Sequence, residues 1–101
     1  MSTILIIEDE PELVRVLRSY LEQAGFSVLS AGRGDTGLFT WETTHPDLVI
    51  LDLNLPGMDG LEVARRIRHS TLGAANTPII MFTARVEEND QLLGLDIGAD
   101  D

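Results

Sequence analysis

The chain has 101 residues, with 17 Asp and Glu against 7 Lys and Arg, a formal charge of −10, 44% hydrophobic residues and no cysteine. That length holds one domain with a modest core, and the missing thiols exclude disulfide frameworks and cysteine-ligated zinc, which fits a reducing cytoplasm. The apolar runs fall far short of the roughly 20 residues that span a bilayer, no basic segment opens the chain, and the acidic balance opposes phosphate backbones, so neither a membrane span, a secretory leader nor direct nucleic-acid binding is expected.

Thr3 to Ile7 is an apolar run of strand length. Pro11 follows where a helix can begin, since the first turn has no use for the N–H that proline lacks. Leu13, Val14, Leu17 and Leu21 share one face of that helix, and Gly25 closes it. Phe26 to Ala31 predicts a second strand, broken by Gly32 and Gly34. Leu38 and Trp41 then fall three apart on a second, weaker helix.

Asp47 to Leu51 predicts a central strand buried on both faces, because Leu48-Val49-Ile50-Leu51 offers no polar side to water. Pro56 and Gly57 occupy the two middle positions of a type II turn. Asp59 with Glu62 makes an aspartate variant of the capping box, and Leu61, Ala64 and Ile67 give the third helix its apolar stripe. A loop from Ser70 to Thr77 leads into a fourth strand, Pro78 to Phe82, with the proline where a strand tolerates it. Val86 to Ile97 reads as a marginal helix weakened by Gly94. His45 and His69 read as surface residues, Trp41 and Phe39 as core or half-buried packing, and Arg65, Arg66, Arg68 and His69 as a solvated helix face.

Strands joined by helical crossovers define a parallel sheet with helices on both sides, the doubly wound α/β class. In such sheets the ligand site lies beyond the carboxyl ends of the strands. Strand one ends in Glu8 and Asp9, strand three in Asp52, and strand four in Thr83 and Ala84. If strands one and three are neighbours, three carboxylates meet in one cleft. Like charges there raise one another's pKa unless a cation lies between them, and an oxygen-only donor set suits Mg²⁺. A single Asp after a strand is commonly a turn or cap residue. The conjunction is more specific: an acidic pair, a second Asp after an apolar strand, a Pro-Gly turn, then a hydroxyl and a small residue.

These features resemble the receiver domain of two-component response regulators. The matching segments are ILIIEDEP (4 to 11), DLVILDLNLPGMDGLEV (47 to 63), PIIMFTA (78 to 84) and GADD (98 to 101), in family order over essentially the whole chain. The resemblance implies a flavodoxin-like, CheY-like sheet of order 2-1-3-4. It also implies that Asp52 is the phosphoacceptor, taking its phosphoryl group from the phosphohistidine of a sensor histidine kinase or phosphotransfer protein. By the same likeness Asp9 and Asp52 hold Mg²⁺ directly, Glu8 acts through water, and the backbone carbonyl of Asn54 completes the ligands, so that the Asn54 side chain matters less than its position. Thr83 gives its hydroxyl to the phosphoryl group and carries the switch, while the Ala84 N–H holds another oxygen. Such a domain is a signalling phosphoacceptor with only self-catalysed phosphoryl transfer and slow autodephosphorylation. The wording of LNLPGMDGLEV and GADD is similar to regulators with a C-terminal winged-helix DNA-binding domain, which implies transcription regulation in the cytoplasm.

The family pattern continues past GADD through an aromatic switch residue, a fifth strand ending in Lys before Pro, and a fifth helix. Residues 1–101 contain no Lys. They therefore read as a single receiver domain, C-terminally truncated, with the fifth strand and helix missing and phosphorylation impaired. Its fourth strand is an open edge suited to dimerisation or swapping with a second copy. Metal binding is expected to survive. The alternatives are a Mg²⁺-dependent, aspartate-nucleophile phosphatase of haloacid dehalogenase type, or an interaction module that works without phosphorylation. The phosphatase needs a second acid two residues after its nucleophile, and Asn54 cannot protonate a leaving group.

Overall fold

The computed structural model of the chain describes residues 2–70 and 76–83. Ala84, the helix expected at 86–97 with Gly94, and the GADD tetrad lie outside the described residues. The apolar runs become strands Thr3–Ile7 (β1), Ser27–Ala31 (β2), Leu48–Asp52 (β3) and Ile79–Phe82 (β4), alternating with helices Pro11–Gln23 (α1), Gly34–Thr44 (α2) and Gly60–Arg68 (α3). All strand pairs are parallel, in the order β2-β1-β3-β4. The expected doubly wound, flavodoxin-like topology is therefore present. Ile7 is registered with both Ala31 and Leu51, and Asp52 with Phe82. Chain segments leaving β1, β3 and β4 consequently emerge side by side at one end of the sheet.

The two faces of the sheet are filled by alternate residues, as the pleat requires. On one face Leu5, Ile7, Val49, Leu51, Ile79 and Met81 pack with Leu38 and Trp41 of α2 and with Val63, Ala64 and Ile67 of α3. On the other, Ile4, Ile6 and Val28 meet Val14, Leu17 and Leu21 of α1. Leu48 and Ile50 on this second face are only half-buried, a correction to the expectation that β3 is dry on both sides. Among the described residues α1 is the helix that packs on that face, and it lies closest to β2.

Several local expectations are corrected by three-dimensional neighbours. Gly34 does not break β2; it opens α2, and its N–H donates to the Pro56 carbonyl at 3.0 Å. A Cβ at Gly34 would lie 1.7 Å from the Met58 carbonyl oxygen, so only glycine lets α2 approach the loop after β3 this closely. Gly57 has the positive φ, 83°, that the turn demands. Its closing bond is nevertheless Met58 N–H to the Pro56 carbonyl at 3.1 Å, a three-residue turn in place of the four-residue type II bond. Pro56 thus supplies one carbonyl to both Gly34 and Met58.

Asp59 caps α3 by accepting the Glu62 N–H at 2.9 Å, but the reciprocal half of the capping box is not made. Glu62 turns forward to pair with Arg65 and Arg66 instead. Val63 joins Ala64 and Ile67 in the buried stripe, and Leu61 is only half-buried. Arg68 is not simply solvated; it donates to the Thr77 carbonyl. Trp41 is 1% exposed and its Nε1–H donates to the buried Thr77 hydroxyl at 3.2 Å. Phe39, by contrast, is 65% exposed, because one residue along from Leu38 turns the side chain about 100° away from the core. His45 and His69 are exposed, and His45 ends α2 in the left-handed conformation with φ 50°.

The Gly34 contact yields a direct check. Gly34→Ala should destabilise the fold by about 1–3 kcal/mol, the range for forcing an extra carbon into a packed site. Urea unfolding measures this, and a loss below about 0.5 kcal/mol, the level of a neutral surface change, would contradict the close approach.

Candidate functional site

The site is built by strand register. Glu8 continues β1 by one residue, donating its N–H to the Ala31 carbonyl at 3.0 Å. Leu53 continues β3 by donating to the Phe82 carbonyl at 2.9 Å. Adjacency of β1 and β3 then brings Glu8, Asp9 and Asp52 together, each offering a carboxylate oxygen within 4.8 Å of the others. Glu8 is 2% exposed and Asp52 3% exposed, while Asp9 is half-buried. A cavity of about 370 Å³ opens beside them, lined by Asp9, Leu53, Asn54, Leu55, Pro56 and Asp59.

The electrostatics follow from that crowding. Glu8 Oε2 accepts the Glu10 N–H at 2.8 Å, but Glu8 Oε1 is buried without a hydrogen-bond partner. Burial pushes the Glu8 carboxyl up from 4.5 to about 7; the Glu10 N–H opposes the rise, and the neighbouring Asp52 charge adds to it. Asp52 Oδ1 accepts the backbone N–H of Asn54 at 3.2 Å. An orphaned buried oxygen beside two further carboxylates, with no nitrogen or sulfur donor among them, fits a hard divalent cation.

Of the residues singled out from sequence, Glu8, Asp9 and Asp52 converge, and Asn54 and Thr83 reach the same end of the sheet. Ala84 lies outside the described residues. The Asn54 side chain, expected to matter less than its position, donates from Nδ2 to Thr83 Oγ1 at 2.8 Å. No spacing rule announces that bond, since it spans 29 positions and depends on β3 lying beside β4. The one available signal was that both residues closely follow neighbouring strands.

With this geometry in place, comparison with known proteins is decisive. Residues 4–101 match the response regulator receiver domain, and the chain belongs to that family. It is 44% identical over 98 residues to the alkaline phosphatase synthesis transcriptional regulatory protein PhoP of Bacillus subtilis, covering 97% of this chain and 40% of that protein. It is 49% identical over 98 residues to the transcriptional regulatory protein BaeR of Escherichia coli, covering 97% and 39% respectively. The chain thus spans about two-fifths of the length of these relatives. The crystal structure of a response regulator from Chloroflexus aurantiacus superposes with a TM-score of 0.89 at 33% identity, over 99% of this chain and 81% of that one. TrrA of Thermotoga maritima, solved with Mg²⁺ and beryllofluoride, gives a TM-score of 0.85 at 33% identity, over 99% and 83%. TrrA has also been solved in complex with the histidine kinase ThkA.

The domain therefore has the phosphoacceptor role of two-component signalling, a signalling function and not that of a conventional enzyme. The haloacid dehalogenase reading finds no support, and the Asn54 amide bonded to Thr83 is no substitute for its second acid. Among the described residues no helix is long and apolar enough to cross a membrane.

The raised Glu8 pKa carries a sign. Between 4.5 and about 7 the folded state binds the proton more tightly than the unfolded chain, so the Glu8 contribution to stability is fully present below pH 4.5 and is lost as pH rises through 7. In metal-free buffer the Glu8 contribution should decline over that window. Glu8→Gln should remove the decline in urea unfolding measured at successive pH values. A variant with the same pH dependence as the parent would contradict the assignment.

Proposed function

We propose that Asp52 is the residue phosphorylated, and that the single observation carrying this is the convergence of its buried carboxylate with Glu8 and Asp9 at the ends of adjacent strands. Asp9 and Asp52 would hold Mg²⁺ directly, Glu8 through water, and the Asn54 backbone carbonyl would complete the protein ligands. The ion, when bound, offsets repulsion between a carboxylate and an anionic phosphoryl donor and neutralises charge on the transferred oxygens. The Mg²⁺-beryllofluoride structure of TrrA supports the choice of metal.

In this reading an Asp52 carboxylate oxygen attacks phosphorus as the bond from phosphorus to a kinase histidine nitrogen breaks, and the departing imidazole takes a proton from water. The Thr83 hydroxyl donates to an oxygen of the new acyl phosphate, where one more negative group has been added to an already acidic cleft. The Ala84 N–H would hold another of these oxygens. Engagement of the Thr83 hydroxyl by the phosphoryl group then carries the switch. Slow hydrolysis of the acyl phosphate resets the domain.

The donor is a sensor histidine kinase or a phosphotransfer protein, as the TrrA complex with ThkA illustrates. The receiver belongs to a longer cytoplasmic transcriptional regulator, a reading supported by the greater length of PhoP and BaeR. Its output domain binds DNA, a task unsuited to this acidic segment with its charge of −10.

The full-length protein treated with acetyl phosphate and Mg²⁺ should gain one acid-stable, base-labile phosphoryl group, and Asp52→Ala should abolish it. Mass spectrometry of both proteins reads the outcome. Labelling that persists in the variant would assign the chemistry to another residue.

A further inference from the structure

Asn54 reaches both chemical groups of the site. Its backbone N–H donates to Asp52 Oδ1 at 3.2 Å, and its side-chain Nδ2 donates to Thr83 Oγ1 at 2.8 Å. The second bond ties the segment after β3 to the segment after β4. It is possible because Asp52 is registered with Phe82 and the Leu53 N–H continues that pairing. Asn54 itself is exposed and lines the cavity together with Asp9.

A hydroxyl offers one donor hydrogen and two acceptor lone pairs. An amide N–H aimed at Thr83 Oγ1 occupies acceptor capacity, and the hydroxyl hydrogen cannot then point back along the same line. The bond also favours one of the three staggered χ1 positions of Thr83 and polarises its O–H, which makes that O–H a stronger donor. We infer that the Asn54 carboxamide is a positioning residue for Thr83, holding the hydroxyl so that its hydrogen is presented to a phosphoryl group on Asp52. This rests on the assignment of Asp52 and Thr83 above and extends it, since there Asn54 serves through its backbone carbonyl alone. The carboxamide acts through Thr83, so its removal matters only while residue 83 carries a hydroxyl.

The test is a double-mutant cycle on the full-length protein, with beryllofluoride in the presence of Mg²⁺ as the phosphoryl mimic and calorimetry as the readout. Asn54→Ala should weaken beryllofluoride binding about fivefold, the scale of one hydrogen bond formed in competition with water. In a Thr83→Ala background the same replacement should change binding by less than about twofold, and in a Thr83→Ser background it should again weaken binding about fivefold. Because Asn54 is exposed, the unfolding midpoint without ligand should stay within the range of neutral surface changes. An unchanged affinity in Asn54→Ala overturns the inference, as does equal weakening in the Thr83 and Thr83→Ala backgrounds. Absence of beryllofluoride binding by the unaltered protein, or its persistence in Asp52→Ala, overturns the underlying assignment and the inference with it.

Discussion

The constraint on which the structure turns is the gathering of like charges where β1 and β3 end. Two of the three carboxylates, Glu8 and Asp52, are almost wholly removed from water, and a third, Asp9, stands beside them. Nothing in an ordinary core would assemble such a group, because each buried anion forfeits hydration and repels the others. The arrangement holds because apolar packing fixes the strands that carry it. Leu5, Ile7, Val49 and Leu51 are fully buried on one face, and their registration leaves the acidic residues no alternative neighbours. The shift of Glu8 to about 7 is the cost made visible. A divalent cation is the natural complement of such a cluster, and in the function proposed for it the ion would make a destabilising group of charges serve phosphoryl transfer.

The surrounding loops serve the same end. Gly34 and Pro56 dock the start of α2 against the loop after β3, and Asp59 caps α3 immediately beyond it. The floor and wall of the cavity are thus held by a backbone bond on one side and a helix cap on the other. On the other side, continuation of the β3–β4 ladder to Leu53 places Thr83 within reach of Asn54. A site whose parts come from three separate strand ends stays in register because the sheet, and not any one loop, sets the distances.

Much of this was legible in the sequence because it rests on periodicity. The short apolar runs and the α1 face of Leu13, Val14, Leu17 and Leu21 needed no partner to be recognised, and the parallel order made Glu8, Asp9 and Asp52 neighbours. What escaped was decided by neighbours distant in sequence. Gly34 looked like a strand breaker until Pro56 and Met58 appeared beside it. Glu62 looked like a capping partner until Arg65 and Arg66 competed for its carboxylate. Phe39 looked like packing, although α2 already buries Leu38 and Trp41 and has no inward position left for it. The Asn54 amide looked incidental because its partner Thr83 is 29 positions away.

Comparing thermal unfolding of the chain with that of Asp9→Asn, each with and without Mg²⁺, tests most directly whether charge crowding at the strand ends is relieved by a bound cation. Without Mg²⁺ the variant should be the more stable of the two, since one repelling charge is gone; with Mg²⁺ only the parent should gain stability. An equal Mg²⁺ response in both proteins would contradict the account.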